Sequence, residues 1–188
     1  LPGAWREQCR EVLAKLMGIS EALSDSIRCP VAAERRRDEG VTVEAHIMQV
    51  EDGLSIPGYL LTPTDSVPRG TVMAIHGHGE VGPCLGTRDD YHHAFALRLA
   101  EAGYRVLCPE LRGFGALRDL AADVEGYRLD YWDWARHMAY SLVTDGFLHG
   151  RTLIGDTVMD LLRWEAWLTH TYEVEALDVA GISYGGDL

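Results

Sequence analysis

Apolar and polar positions follow two different periods along this chain. From Ala4 to Met17 apolar residues recur at helical spacing, with Trp5, Cys9, Val12, Leu13 and Leu16 on one face and Gly18 as the stop signal. This predicts an amphipathic helix. A polar stretch follows, and its charge run Glu34-Arg35-Arg36-Arg37-Asp38-Glu39 mixes both signs, which reads as a solvated surface turn. Val41 to Val50 then alternates with a period of two, Glu51-Asp52-Gly53 makes a turn, and Leu54 to Leu61 returns. The pattern predicts an antiparallel hairpin at the edge of a sheet.

From Thr71 the rhythm changes to strands alternating with helices, the signature of a parallel sheet. Thr71 to Ile75 is a short buried strand running into His76-Gly77-His78-Gly79. Asp89 or Asp90 can cap a helix from about Tyr91 to Ala102, stopped by Gly103. Tyr104 to Cys108 is the next strand, ending at Pro109-Glu110. Residues 111–150 form an aromatic-rich excursion containing Tyr131-Trp132-Asp133-Trp134, with one short helix and loop elsewhere. The Trp132/Trp134 pair reads as core or lid packing, with a substrate-facing role open. Thr152 to Thr169 is a second long helix, with Val158, Leu161, Leu162 and Leu168 at core-facing spacing, and Leu177 to Ile182 is the last strand. There is no repeat, low-complexity segment or linker. The reading is one α/β domain over residues 1–188, with an amino-terminal segment 1–40 ahead of a sheet core at 41–188.

Composition narrows the partners. Hydrophobic residues make up 47% and charged residues 24%, as in ordinary globular proteins. A formal net charge of −12 repels a polyanion, which disfavours a nucleic-acid partner. No apolar run approaches a membrane span, and no signal-peptide pattern is present. Cys9, Cys29, Cys84 and Cys108 lie far apart without a C-x-x-C pair, so free thiols in a reducing, cytoplasmic compartment are expected rather than a zinc site. The chain opens on Leu1 and closes on Leu188, soon after its most informative motif. That reads as a piece of a longer protein.

The motif is Gly181-Ile182-Ser183-Tyr184-Gly185, a G-x-S-x-G directly after an apolar strand. A nucleophile on a tight strand-to-helix turn must stand alone above the sheet edge, in strained backbone geometry. Residues two positions to either side then crowd one another, so Gly181 and Gly185 carry no side chain. Gly186 is expected to let the following helix start close to the sheet. Ser183 is the candidate nucleophile, and the backbone N–H of Tyr184 is placed to be one oxyanion donor. An acyl-transfer site needs a second donor, expected from the loop after another strand. His76-Gly77-His78-Gly79 has the H-G-x-G form of such loops. The N–H of His78 is favoured, with Gly77 and Gly79 letting the loop approach substrate.

Three segments, Ala74-Ile75-His76-Gly77-His78-Gly79, Pro109-Glu110-Leu111-Arg112-Gly113-Phe114-Gly115 and Gly181-Ile182-Ser183-Tyr184-Gly185-Gly186, resemble α/β-hydrolases of the dienelactone hydrolase and acetyl xylan esterase-like group. The resemblance runs from the amino-terminal helix to the end of the chain. It implies the α/β-hydrolase fold, a mostly parallel sheet with an antiparallel amino-terminal hairpin, of which the first five strands are present and the last three are missing. It also implies ester hydrolysis through an acyl-serine, on a small carboxylic ester, with no cofactor and no metal. Dienelactone hydrolase itself has cysteine at the elbow; Ser183 places this chain with the esterase-like relatives. Glu110 stands where the group more often has Asp, which affects a strand-end contact and not the triad. In this fold the triad runs Ser, then acid, then His. All eight histidines precede Ser183, and Asp187 lies in the first turn of the elbow helix, so the triad acid and histidine are expected beyond Leu188. The 188-residue chain alone is then expected to be inactive. It is also expected to self-associate through the bare edge of its last strand.

The remaining histidines carry less. His92-His93 at a helix start point to different faces, which argues against joint metal binding. His76 and His78 have a spacing that could ligate a metal, but a loop role fits better. His46, His137, His149 and His170 are isolated, structural or surface residues. Two other function classes stay open. Gly77-His78-Gly79-Glu80-Val81-Gly82 also fits G-x-G-x-x-G of dinucleotide-binding oxidoreductases, with Glu110 ending the next strand. Pro83, Gly86 and Thr87, however, keep the chain in loop where a Rossmann helix should begin. A hydrolase-fold module that binds a partner without catalysis is the other.

Overall fold

Period-two alternation sends neighbouring strand residues to opposite faces of one six-stranded sheet. The computed structural model describes residues 3–19, 30–38, 40–117 and 140–188. Its strands are β1 (Val31–Asp38), β2 (Val41–Glu51), β3 (Leu54–Pro63), β4 (Thr71–Ile75), β5 (Arg105–Pro109) and β6 (Leu177–Gly181). The helices are α1 (Gly3–Met17), α2 (Phe95–Glu101), α3 (Tyr140–Leu148), α4 (Leu153–Tyr172) and the short α5 (Tyr184–Asp187). Strand order is β1-β2-β3-β5-β4-β6. The pairs from β1 to β5 are antiparallel, whereas β5, β4 and β6 run parallel.

Two cores result. Leu60, Met73, Ile75 and Leu107 face α4 and its Leu161, Trp164, Trp167 and Leu168. Their immediate neighbours Leu61, Ala74, Val106 and Cys108 face α2 and its Ala96 and Ala100. Trp164 is fully buried, and Gly58 makes room for it: a Cβ at Gly58 would stand 2.7 Å from the indole. Helix α4 is capped by Thr152, whose hydroxyl accepts the Gly155 N–H at 3.0 Å and donates to the Met17 carbonyl at 2.9 Å. That second bond ties α1 to the body of the domain. Among the described residues, no helix is long and apolar enough to cross a membrane.

Several elements depart from the sequence reading. The charge run is not a turn. Its residues Glu34 to Asp38 lie in β1, whose backbone pairs with β2 from Val31↔Ile47 to Asp38↔Val41. The outer edge of β2 offers a row of unpaired backbone groups, and satisfying them outweighs the charge pattern. Edge strands are also where charged residues are tolerated. The hairpin β2–β3 is therefore interior, and the sheet has six strands here, not five. The apolar face of α1 is exposed, with Trp5 at 50% and Leu16 at 71%. Helix α2 begins at Phe95, because His93 and Ala94 both adopt left-handed φ of 51° and cannot continue a helix. Asp90 accordingly caps a turn, its carboxylate accepting the His92 N–H at 2.7 Å. In α4 Leu161 and Leu168 are buried as expected, Val158 and Leu162 are half-buried, and Met159, Trp164 and Trp167 complete the core. Tyr131-Trp132-Asp133-Trp134, His137 and Cys29 lie outside the described residues.

Candidate active site

Strands β4 and β6 are parallel neighbours in register, Ala74 opposite Ala180 and Ile75 opposite Gly181. Their carboxyl ends therefore deliver the His76–Gly79 loop and the Ser183 turn to the same place. Ser183 sits at φ 52°, ψ −123°, a conformation that costs a non-glycine residue about 1–3 kcal/mol. Its surroundings enforce it. A Cβ on Gly181 would lie 1.9 Å from the Gly185 carbonyl oxygen, and one on Gly185 would lie 2.3 Å from the oxygen of Ile75. Gly186 differs from the expectation: its Cβ would come no nearer than 3.7 Å to its neighbours, so close packing does not require glycine there. The turn is closed by Ile182 N–H to Ile75 O at 3.2 Å and Gly185 N–H to Ile182 O at 3.0 Å.

The loop opposite is held by two buried histidines. Gly77 donates its N–H to His92 Nε2 at 3.0 Å, and His92 Nδ1 lies 2.9 Å from the Asp90 carboxylate. The acceptor role of Nε2 places the ring proton on Nδ1, facing Asp90. On the other side His76 Nδ1 meets the Gly77 carbonyl at 2.6 Å, and its Nε2 lies 2.7 Å from Glu110. Glu110 is itself buried and also receives the Val81 and Ala116 N–H groups, at 3.5 and 3.4 Å. Gly77 leaves no room for a side chain, since a Cβ would meet the Tyr91 hydroxyl at 2.4 Å and Ser183 Cβ at 2.9 Å. Gly79 takes φ 123°, open to glycine, and its carbonyl accepts the Gly115 N–H at 3.0 Å.

Neither the His78 nor the Tyr184 N–H has an acceptor among the described residues. The two residues are adjacent, their rings 5.3 Å apart, and both pack against Phe114. Burial pushes the Tyr184 phenol up, against a hydrogen bond with Thr157, and its half-buried side chain packs against the core. Tyr91 completes the ring of groups. Its hydroxyl donates to the His78 carbonyl at 2.7 Å and stands beside Ser183, the two flanking the Cβ position of Gly77. Burial and then the Asp90 charge raise the phenol, the Ser183 contact opposing them, so it stays protonated at neutral pH. Among the described residues no histidine hydrogen-bonds Ser183.

Sequence reasoning thus placed Ser183, His78, Tyr184, Gly77, Gly79, Gly181 and Gly185 together, and missed Asp90, Tyr91 and His92. The available signal was Asp90-Tyr91-His92 itself, later in the same strand-to-helix connection as His76-Gly77-His78-Gly79, where the pattern resembles a helix start. The G-x-G-x-x-G reading finds no support in the local geometry of the described residues. Gly82 opens a short 3-10 turn, Gly82–Leu85, and the next helix waits until Phe95, so no helix N-terminus faces the glycines. An open cleft of about 300 Å³ flanks the same loop, lined by Tyr59, Glu80, Thr87, Glu110 and neighbours, but not by Ser183.

No family model and no curated protein matches the sequence. Solved structures do. A candidate acetyl xylan esterase from Bacteroides fragilis superposes with a TM-score of 0.74 at 17% identity, over 98% of this chain and 48% of its own. Acetyl xylan esterase 1 from Thermoanaerobacterium sp. gives 0.54 at 16%, over 98% and 52%. A glucuronoyl esterase from Solibacter usitatus gives 0.58 at 12%, over 97% and 54%. The chain spans about half the length of these structures. Over that span, a mixed sheet with helices on both faces and a strained serine turn at the end of β6 give this chain the α/β-hydrolase fold.

Proposed function

We propose that this chain belongs to a serine carboxylic ester hydrolase that works through an acyl-serine intermediate on a small carboxylic ester. Ser183 attacks the ester carbonyl, and the N–H groups of His78 and Tyr184 receive the oxyanion. The observation that carries the reading is the Ser183 backbone, held at φ 52°, ψ −123° beside two amide N–H groups that have no other acceptor among the described residues. A developing negative charge there meets donors already in place, the arrangement worth about 3–4 kcal/mol of barrier per donor. The esterase neighbours support the same chemistry at the level of fold.

The proposal assigns the triad acid and histidine to residues beyond 188, following the order Ser, acid, His of this fold. Ser183 alone is then a weak nucleophile, and loss of the base in a serine triad costs about a millionfold in turnover. A reducing, cytoplasmic setting belongs to the same proposal, on the strength of the free thiols Cys9, Cys84 and Cys108. The test is hydrolysis of p-nitrophenyl acetate. The protein expressed from its complete reading frame should show an acyl-enzyme burst, abolished by Ser183→Ala with the fold intact, and residues 1–188 alone should show no useful turnover. Near-wild-type activity in the Ser183→Ala protein would overturn the assignment. Micromolar binding of NAD or NADP would favour the oxidoreductase reading instead. Binding of a partner with no turnover in the complete protein would favour a non-catalytic module.

A further inference from the structure

We propose that Tyr91 is a positioning residue of this site, its hydroxyl joining the Ser183 hydroxyl to the carbonyl of His78 so that one group sets both nucleophile and oxyanion loop. The inference rests on Ser183 being the nucleophile. Tyr91 belongs to the segment between the loop and α2, which turns sharply because His93 and Ala94 are left-handed. Its ring lies on that of His92, centroids 4.0 Å apart, and His92 in turn holds the Gly77 N–H. The phenol oxygen and Ser183 Cβ flank one point, the missing side chain of Gly77, at 2.4 and 2.9 Å. Glycine at 77 is what lets the two approach.

A phenol has one hydrogen, and here it goes to the His78 carbonyl at 2.7 Å. Toward Ser183 the same oxygen can only accept, so the serine hydroxyl donates. This directs the Ser183 hydrogen along one line and fixes its rotamer before a base arrives. It also pins the peptide that follows His78, while the peptide that carries the His78 N–H is held one step earlier by His76 Nδ1 at the Gly77 carbonyl. The protonated phenol cannot take the serine proton, so Tyr91 orients and does not act as base. A packing role alone would place the ring; the bond from its hydroxyl to the His78 carbonyl goes beyond packing.

The test is the rate at which an alkyl fluorophosphonate labels Ser183 in the protein expressed from its complete reading frame, compared with Tyr91→Phe and Tyr91→Leu. Loss of one hydrogen bond to the nucleophile predicts labelling about threefold to tenfold slower in both variants. On p-nitrophenyl acetate kcat should fall by the same factor while KM stays within about twofold. Slowing in Tyr91→Leu but not in Tyr91→Phe would show that only the ring matters and overturn the role of the hydroxyl. Equal rates in all three proteins would overturn it as well, while leaving the nucleophile assignment standing. If the parent protein is not labelled at Ser183, the nucleophile assignment falls and this inference falls with it.

Discussion

Two adjacent glycines of the elbow should respond oppositely to the same substitution. In Gly185→Ala the new methyl would stand 2.3 Å from Ile75 O, 2.5 Å from His76 O and 2.7 Å from Ile75 C. All three are backbone atoms, which cannot rotate aside. Overpacking costs about 1–3 kcal/mol. Relief requires β4 and the turn to separate, which sacrifices the Ile182 N–H to Ile75 O bond, about 1 kcal/mol more. The expected loss is about 2–4 kcal/mol. In Gly186→Ala the methyl finds ordinary contacts at 3.7 Å, on a helical residue without positive φ. Reduced freedom of the unfolded chain should then stabilise by about 0.4–1 kcal/mol. Urea unfolding followed by the fluorescence of buried Trp164 and Trp167 reads both effects. With a slope of about 2 kcal/mol per molar, Gly185→Ala should lower the midpoint by about 1–2 M and Gly186→Ala should raise it slightly. A Gly185→Ala midpoint within about 0.2 M of the parent would refute the crowding argument, as would a marked loss in Gly186→Ala.

Three further outcomes follow from the packing. His46 is buried beside Trp167 with no partner for either ring nitrogen among the described residues, and burial holds its pKa below the usual 6.5. The unfolded chain therefore takes up the proton first, and stability falls as pH drops through about 6.5; His46→Leu should lose less stability than the parent between pH 7 and pH 5, and equal losses would count against it. Arg112 is held charged by Asp160, with Glu51 at 2.7 Å, while burial pushes Asp160 up. Arg112→Met should cost about 3–5 kcal/mol in urea unfolding, and adding Asp160→Leu should restore part of it; additive losses would contradict a coupled pair. Strand β6 is last in the sheet, with Val179 64% exposed, so residues 1–188 should self-associate in sedimentation at high concentration. A stable monomer would refute that.

What could be read from the sequence was whatever local chemistry dictates. The strand from Thr71 to Ile75 is apolar after its first residue and lies buried on both sides, and Gly181 is required by the turn itself, since a Cβ there would meet the Gly185 carbonyl. The misses depend on distant partners. β1 is a strand because β2 has an open edge, a fact absent from Glu34-Arg35-Arg36-Arg37 itself. The face of α1 has the right period and yet stays exposed, because periodicity states which residues share a face and not whether anything covers it. Asp90, Tyr91 and His92 resemble a helix start until the left-handed pair His93-Ala94 turns them back over Gly77 and Ser183.

The central claim is that Ser183 is acylated, and trapping the intermediate tests it most directly. The protein expressed from its complete reading frame is mixed with p-nitrophenyl acetate, quenched in acid during the burst, digested and mapped by mass. The acetyl group should be found on the peptide carrying Ser183, and Ser183→Ala should carry none. An acetyl group on any other residue during a burst that survives Ser183→Ala would contradict it.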